Sequence, residues 1–497
     1  MYYHLLHYLS QVHQQRSYSL IIISVLLMGV RLQGKSCTYY VSTSSSGGWC
    51  STHHQGSCFN LSEVATAVIT TDRFALNISL ILMTGNHTLP SNLTVTRRTN
   101  FLMKSEDSRQ PAVINCGASS RLQIHSSAHA HIHGIILNGC VENEVKDVNN
   151  LTIEDSIISG MDMINASGRA LIITNSTVII MRSTLTSFSR PRTLKVQLRG
   201  HGGAILSVQS DILISDSMFI MNQAGRGGVM YSLGSTVLIN NSTFTKNSAV
   251  QGGTLYIEQN GSTNITNNHL FQDYLIQWQY NTKFSIKLSR GNVFCIGSNF
   301  TLNRAKKGGA IYCKAESSNS TLFVDGSNFA FNNASYGAVF VLKYSNVTIH
   351  YSSFQSNKAN HTGGVGYCTQ SKLQIKRSIF CHNQAEKHAG VLYLHQLSNT
   401  TINSSNFYNN SAKKTGGSLH LHRKCDLLLI GIILFEHNSA HYSSAAINIY
   451  DSSFTCNGSI NITNNSGSIV LVHSTGHFTG YTPVSYTHLT LPTIYSV

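Results

Sequence analysis

From Gly202 to about Ala440 the chain repeats one phrase: a Phe, two residues, an Asn, a few small residues, then a Gly pair that runs into an apolar stretch. It reads Phe219…Asn222…Gly227-Gly228, Phe244…Asn247…Gly252-Gly253, Phe300…Asn303…Gly308-Gly309, Phe354…Asn357…Gly363-Gly364 and Phe407…Asn410…Gly416-Gly417, with looser copies at Phe329, Phe380 and Phe435. Most copies recur after about 25–28 residues, a solenoid period. A unit of this length, punctuated by Asn, Ser and Gly, has room for two or three short strands and little room for a helix. The expected fold is therefore all-β, a right-handed parallel β-helix in which each repeat is one coil. Coils stack about 4.8 Å apart, so the recurrent Phe should pile up inside the tube and mark the register. The recurrent Asn is expected in a sharp turn, in left-handed backbone or bonded to the Asn above it, and the Gly pair where no Cβ fits.

A solenoid grows by adding coils, so 497 residues are expected to form one elongated domain. With only 5 Pro and 11% charged residues, the chain is neither disordered nor a helical repeat. The formal charge of +15 comes from a scarcity of acids, 20 Asp and Glu against 35 Lys and Arg. A nucleic-acid binder would gather that charge with aromatic residues in one segment. The clearest basic cluster is Arg190-Pro191-Arg192…Lys195…Arg199, read as a solvated loop or, more sharply, as a contact for anionic glycans or lipid headgroups.

The N-terminus sets the compartment. Residues 1–34 read as a signal peptide, because the apolar stretch Ser19 to Val30 is too short to span a membrane. Roughly twenty N-x-S/T sequons follow, among them Asn60, Asn86, Asn92, Asn175, Asn241, Asn264 and Asn346. The eleven Cys show no C-x-x-C spacing, which argues for disulfides over zinc or redox chemistry. Cys50 and Cys58 can close a small loop, and Cys295 with Cys313 is the better of the later pairings, since a coil separates Cys313 from Cys368.

Residues 35–115 read as an N-terminal cap and first coils, with strands at Thr38–Ser42 and Ile78–Met83, a short helix at Leu61–Val68 over the open end, and a turn at Gly85-Asn86-His87. Residues 116–201 read as irregular coils and 202–482 as regular ones, interrupted by an insertion at 267–291. Residues 483–497 break the repeat and resemble the translation of a transposase library adaptor. They are set aside, and a membrane tether or closing coils are expected beyond Thr482.

The Phe-x-x-Asn and Gly-Gly-Ala pairing resembles the coils of bacterial polymorphic outer-membrane adhesins. The chain as a whole, with Leu82-Met83-Thr84-Gly85-Asn86-His87 and its sequons, resembles secreted or surface β-helix proteins of sponges and other simple animals. The fold also resembles the pectate lyase-like superfold, which hosts adhesins, lyases, hydrolases and structural proteins alike. Enzymes of that fold need clustered carboxylates, yet only Glu142, Glu144, Asp147, Glu154, Asp155 and Asp162 gather here. His129, His131 and His133 alternate, as do His420 and His422, so each set can share a strand face, but no third metal ligand is evident beside them. No catalytic residue, metal ligand or cofactor is assigned. The expected function is a non-enzymatic extracellular scaffold for adhesion or recognition, with glycans, matrix or cell-surface molecules as partners; the alternative is a polysaccharide lyase or glycoside hydrolase. Expression through a eukaryotic secretory pathway should yield a chain whose apparent mass falls on N-glycosidase treatment; secreted protein of unaltered mass would contradict the glycoprotein reading.

Overall fold

A computed structural model of the chain describes residues 36–43, 60–63, 77–96, 100–117, 120–160, 169–188, 200–259, 292–315, 321–442, 446–467 and 469–479. These residues form a parallel β-solenoid. Its walls are a broad 28-stranded sheet, a 14-stranded sheet and a 6-stranded sheet, and each named strand pairs in parallel with its equivalent one coil away. In a typical coil the broad sheet receives two strands, such as Thr236–Asn240 and the three-residue Thr243–Thr245. The 14-stranded sheet then receives one, Leu255–Gln259. One continuous apolar core runs from Val41 to Ile462. The looser sequence of 120–160 and 169–188 joins the same sheets in the same parallel register.

All eight repeat Phe residues, including Phe329, Phe380 and Phe435, belong to a single buried column. Successive ring centroids are 4.7–5.1 Å apart, with interplanar angles of 5–12°. Phe244 and Phe300 are 56 residues apart yet occupy adjacent coils, so the doubled interval omits no coil. The expected insertion itself lies outside the described residues, as do the leader, Cys50, Cys58, Asn264, the basic segment 190–199 and residues 483–497.

The Asn column is bonded more completely than a turn requires. In Asn222, Asn247, Asn303, Asn332, Asn357, Asn383, Asn410 and Asn438, the Nδ2 donates to Oδ1 of the next Asn at 2.9–3.2 Å. The backbone N–H of the same residue donates to that oxygen as well. The other Nδ2 hydrogen goes to a carbonyl of the preceding coil, as in Asn357 to Phe329 and Asn383 to Phe354. The left-handed backbone falls on the residue before each Asn, for example Lys246, Leu302, Phe331 and His382, not on the Asn itself. The bend and the bond that holds it are thus divided between neighbours.

A second polar column lies two residues before each Phe from Phe219 to Phe407, and before Ile158 and Leu185 in the earlier coils. Ser156, Ser183, Ser217, Ser242, Ser298, Ser327, Ser352 and Ser378 each donate a backbone N–H to the hydroxyl of the next serine, the last being Ser405, at 3.1–3.2 Å. Each of these serines also follows a left-handed residue, such as Arg182, Asn241 or Tyr351. The Gly pair marks the closest backbone approach. A Cβ on Gly227, at φ +62°, would lie 1.9 Å from the Met230 carbonyl, and one on Gly228 would lie 2.0 Å from the carbonyl of Gly253 in the next coil.

Several expectations need correction. Cys295 and Cys313 are both buried, and neither is in a disulfide. Cys295 lies in the broad sheet between Ile239 and Val324, whereas Cys313 lies in the 14-stranded sheet between Ile257 and Leu342, so they belong to different walls. A disulfide instead joins Cys116 to Cys140, 24 residues apart with Cα atoms 5.0 Å apart, close to one coil of separation. Closing a loop of that length is worth about 3 kcal/mol. Asn86 and His87 begin a strand, Asn86–Leu89, and the bend lies at Thr84-Gly85. Of the expected cap helix only 61–63 is described. It is helical, and Asn60 and Glu63 exchange side-chain-to-backbone bonds of 2.8 and 2.9 Å at its start. Leu61 is buried in the common core.

Truncating a fully buried ring in mid-column should be costly: Phe354→Ala is expected to lower stability by about 3–5 kcal/mol. Gln355→Ala, at the exposed position next to Phe354 in the same strand, should change it by less than about 0.5 kcal/mol. Urea denaturation of the two variants checks this, and equal effects would contradict the column's role.

Candidate functional site

The 6-stranded sheet is where the coil geometry gathers charge. Its strands are Arg304–Lys307, Asn333–Tyr336, Lys358–Thr362, Gln384–Ala385, Ser411–Ala412 and Ser439–Ala440. An alanine occupies the second position of every strand, and Ala334, Ala359, Ala385 and Ala412 are buried. Alternation along a strand sends the flanking residues outward. Arg304, Lys306, Lys358, Lys413 and Lys414 are exposed, while Lys307 and Lys387 are half-buried. Between 292 and 442 the sequence holds 14 Lys and Arg against 5 Asp and Glu, so most of the chain's excess charge lies in these coils.

Two open grooves follow this sheet. One of about 540 Å³ is lined by Lys246, Arg304, Lys358, Asn333 and the apolar Leu302 and Phe331. The left-handed turns carry Leu302 and Phe331 outward, and both are exposed despite their size. The other groove, of about 750 Å³, is lined by Glu386, Lys413, Lys414, Ser439, His441 and Tyr442. Glu386 is the carboxylate on this face. Lys413, with which it makes a close ion pair, and Lys358, at 3.7 Å, hold it below the usual carboxylate range. Lys387 Nζ lies 2.6 Å from His361 Nε2, and His361 packs on Tyr336 with ring centroids 4.6 Å apart. Burial, then the charges of Lys387 and Lys414, push His361 down, so its imidazole accepts from the lysine at neutral pH.

The acidic segment is arranged differently. Glu154 and Asp155 share Arg182, which lies 2.8 Å from Asp155 Oδ1 and also closes on Glu154. For Asp155 the Arg182 hydrogen bond is the main cause of a lowered pKa. For Glu154 partial burial pushes upward, but the bonds from Arg182 and His131 outweigh it and the net direction is also down. Neither carboxyl therefore holds a proton at neutral pH for general-acid work, whereas glycoside cleavage requires one member of the pair to be raised. Asp147 instead accepts from Asn175 at 2.8 Å, and Glu144 lies 3.5 Å from His125; Asp162 is outside the described residues.

The alternating histidines do share faces. His129, His131 and His133 point outward while Ala130 and Ile132 are buried, and the register places Glu154 opposite His133. The carboxylate that the sequence left unidentified thus comes from the next coil. His420 and His422 also share a face, but His420 is packed flat on Tyr393, with centroids 5.1 Å apart, and Thr415 contacts both His420 and His388. Burial pushes His420 down to about 3, so it stays neutral inside an aromatic column. Among the glycosylation candidates, Asn86, Asn175 and Asn241 are exposed and Asn60, Asn92 and Asn346 are half-buried. The side chain of Asn60 caps the helix at 61–63, and Asn92 accepts from the Arg121 N–H.

The basic face had a readable signal. Cations follow the strand alanine in Ala305-Lys306-Lys307-Gly308, Ala385-Glu386-Lys387-His388 and Ala412-Lys413-Lys414-Thr415. Each is a short run, and only stacking of the coils sums them.

Residues 297–314 match the Chlamydia polymorphic membrane protein repeat. That stretch carries Ser298, Phe300, Asn303 and the Gly308-Gly309 pair, one member of each column described above. No curated protein matches the chain significantly. A solved structure similar to it is the catalytic domain of a GH87 alpha-1,3-glucanase in complex with tetrasaccharides, at 7% identity and a TM-score of 0.34, covering 90% of this chain and 68% of that one. No helix among the described residues is long and apolar enough to cross a membrane.

Because Glu154 and Asp155 are both lowered, their pairing with Arg182 adds stability above the unfolded carboxylate value of about 4, and this is lost as the pH falls through their folded values. The unfolding midpoints of wild type and Arg182→Ala should differ at pH 7 and converge towards pH 2. A gap that stays constant down to pH 2 would contradict the assignment.

Proposed function

We propose that this protein is a non-enzymatic, extracellular recognition scaffold whose 6-stranded sheet binds a linear anionic glycan of a matrix or another cell surface. The observation that carries this reading is the cationic face itself: exposed Arg304, Lys306, Lys358, Lys413 and Lys414 on alternate coils of the sheet, with Glu386 as its carboxylate. An extended polysaccharide bearing sulfate or carboxylate groups presents charge at intervals of a few ångströms. A stack of coils offers cations at comparable intervals, so many weak contacts add along one line. Exposed Leu302, Phe331 and Tyr442 in the two grooves supply apolar surface for the sugar rings. The adhesin-type repeat at 297–314 supports a surface role. A hydrolytic reading finds less support, because in the acidic segment the neighbouring carboxylates Glu154 and Asp155 are held ionised by Arg182.

Retention on immobilised heparin, a sulfated glycan, tests this. The wild type should bind, and Lys387→Glu with Lys414→Glu should weaken binding at least tenfold. An equal charge change on the broad sheet, Lys372→Glu with Lys376→Glu, should have a much smaller effect. Equal losses in the two double variants would mean that net charge, not this face, does the binding. Cleavage of a neutral or acidic polysaccharide by the wild type would overturn the non-enzymatic reading.

A further inference from the structure

A separate site lies on the broad sheet, on the early coils. His131 and His133 project from the strand His129–His133, and Glu154 projects from Asn150–Glu154 in the next coil. Glu154 Oε2 lies 3.0 Å from His131 Nε2 and 3.6 Å from His133 Nδ1, and one donor atom from each of the three residues falls within 4.8 Å of the others. We propose that His131, His133 and Glu154 bind a divalent transition-metal cation of the zinc class.

The geometry is close to what such an ion requires. Zinc–nitrogen and zinc–oxygen bonds of about 2.0–2.2 Å place the corners of a tetrahedron about 3.3 Å apart, between the two separations found here. His133 Nδ1 is shut off from solvent and has no hydrogen-bond partner, since Glu154 at 3.6 Å and Asp155 at 3.7 Å are both too far to serve. A metal bond would satisfy that nitrogen. Arg182 holds Glu154 through Oε1 and Asp155 through both oxygens, which leaves Glu154 Oε2 turned towards the imidazoles. That arrangement orients a metal-binding carboxylate from behind.

Ligand type points to a class of ion. Glu154 and Asp155 against Arg182 leave one net negative charge beside two imidazoles, which Lys104, the register neighbour of His133 on the preceding strand, offsets. Two imidazoles and one carboxylate suit zinc, copper or nickel and do not suit calcium or magnesium, which take oxygen ligands. The fourth corner is left for water or an external ligand. The ion would join the coil of 129–133 to that of 150–154, in a part of the tube where the positions equivalent to the stacked Phe are Leu137, Ile158 and Leu185.

The test is zinc retention by the full chain, purified, stripped with chelator, reloaded with Zn²⁺ and counted against a chromogenic chelator. The wild type should hold one equivalent more than His131→Ala with His133→Ala, His129→Ala should match the wild type, and calcium in excess should not displace the ion. X-ray absorption of wild type loaded with one equivalent gives a readout independent of whether the variants fold, and should show scattering from two imidazoles. Equal retention by wild type and a folded double variant, or a spectrum without imidazole scattering, would overturn the site.

Discussion

From Asn222 onward the register of this solenoid depends on one hydrogen-bonded column, the buried Asn side chains that run from coil to coil. Each Asn accepts two bonds at Oδ1 and donates two from Nδ2, so a coil shifted along the axis would strand several buried polar groups at once. Each unsatisfied group costs about 1–3 kcal/mol, a large share of the net stability of a domain. The apolar Phe stack contributes more burial but little specificity of height, because rings slide more cheaply than hydrogen bonds break. The Ser column repeats the polar device at the preceding bend. Between these two bends lies a strand of only three residues, with Phe at its centre.

Such a register converts sequence distance into a simple spatial rule. Residues one coil apart in sequence become neighbours about 5 Å apart, so surface chemistry is written in columns. Lysines in three separate coils become one basic face, and two histidines from one coil meet a glutamate from the next. The two clusters are electrostatic opposites on different sheets. One is dominated by cations with Glu386 held between lysines; the other has two carboxylates gripped by Arg182.

This also explains what could be read beforehand. Phe and Asn were legible because their sites admit no exposed variants: Phe219 to Phe407 and Asn222 to Asn410 are buried without a gap. Phe329 and Phe380 looked degenerate only because their Gly pairs are altered, as Gly337-Ala338 and Ala389-Gly390, while their rings are full members of the stack. Ser was overlooked because it is common throughout the chain. Sequons were partly a by-product of this chemistry. Asn175-Ser176-Thr177 and Asn241-Ser242-Thr243 each place an Asn in left-handed backbone before a bonded, buried Ser, so the coil itself favours the motif. Adjacency of coils is insufficient for cysteine pairing: Cys295 and Cys313 sit on different walls, whereas Cys116 ends one strand and Cys140 follows the end of the strand paired with it, nearly one period on. The His–Glu triad required the register, which in those coils is shorter than in the later repeat; His133 and Glu154 are 21 residues apart.

The central claim is that ligand is read by a line of coils and not by a single pocket. Its most direct test is the affinity of the protein for sulfated oligosaccharides of increasing length. Six strands at the spacing of a parallel sheet extend about 24 Å. Affinity should rise with each added disaccharide until the ligand spans that distance, and then level off. Affinity already at its plateau with a disaccharide would place recognition in one pocket and contradict the account.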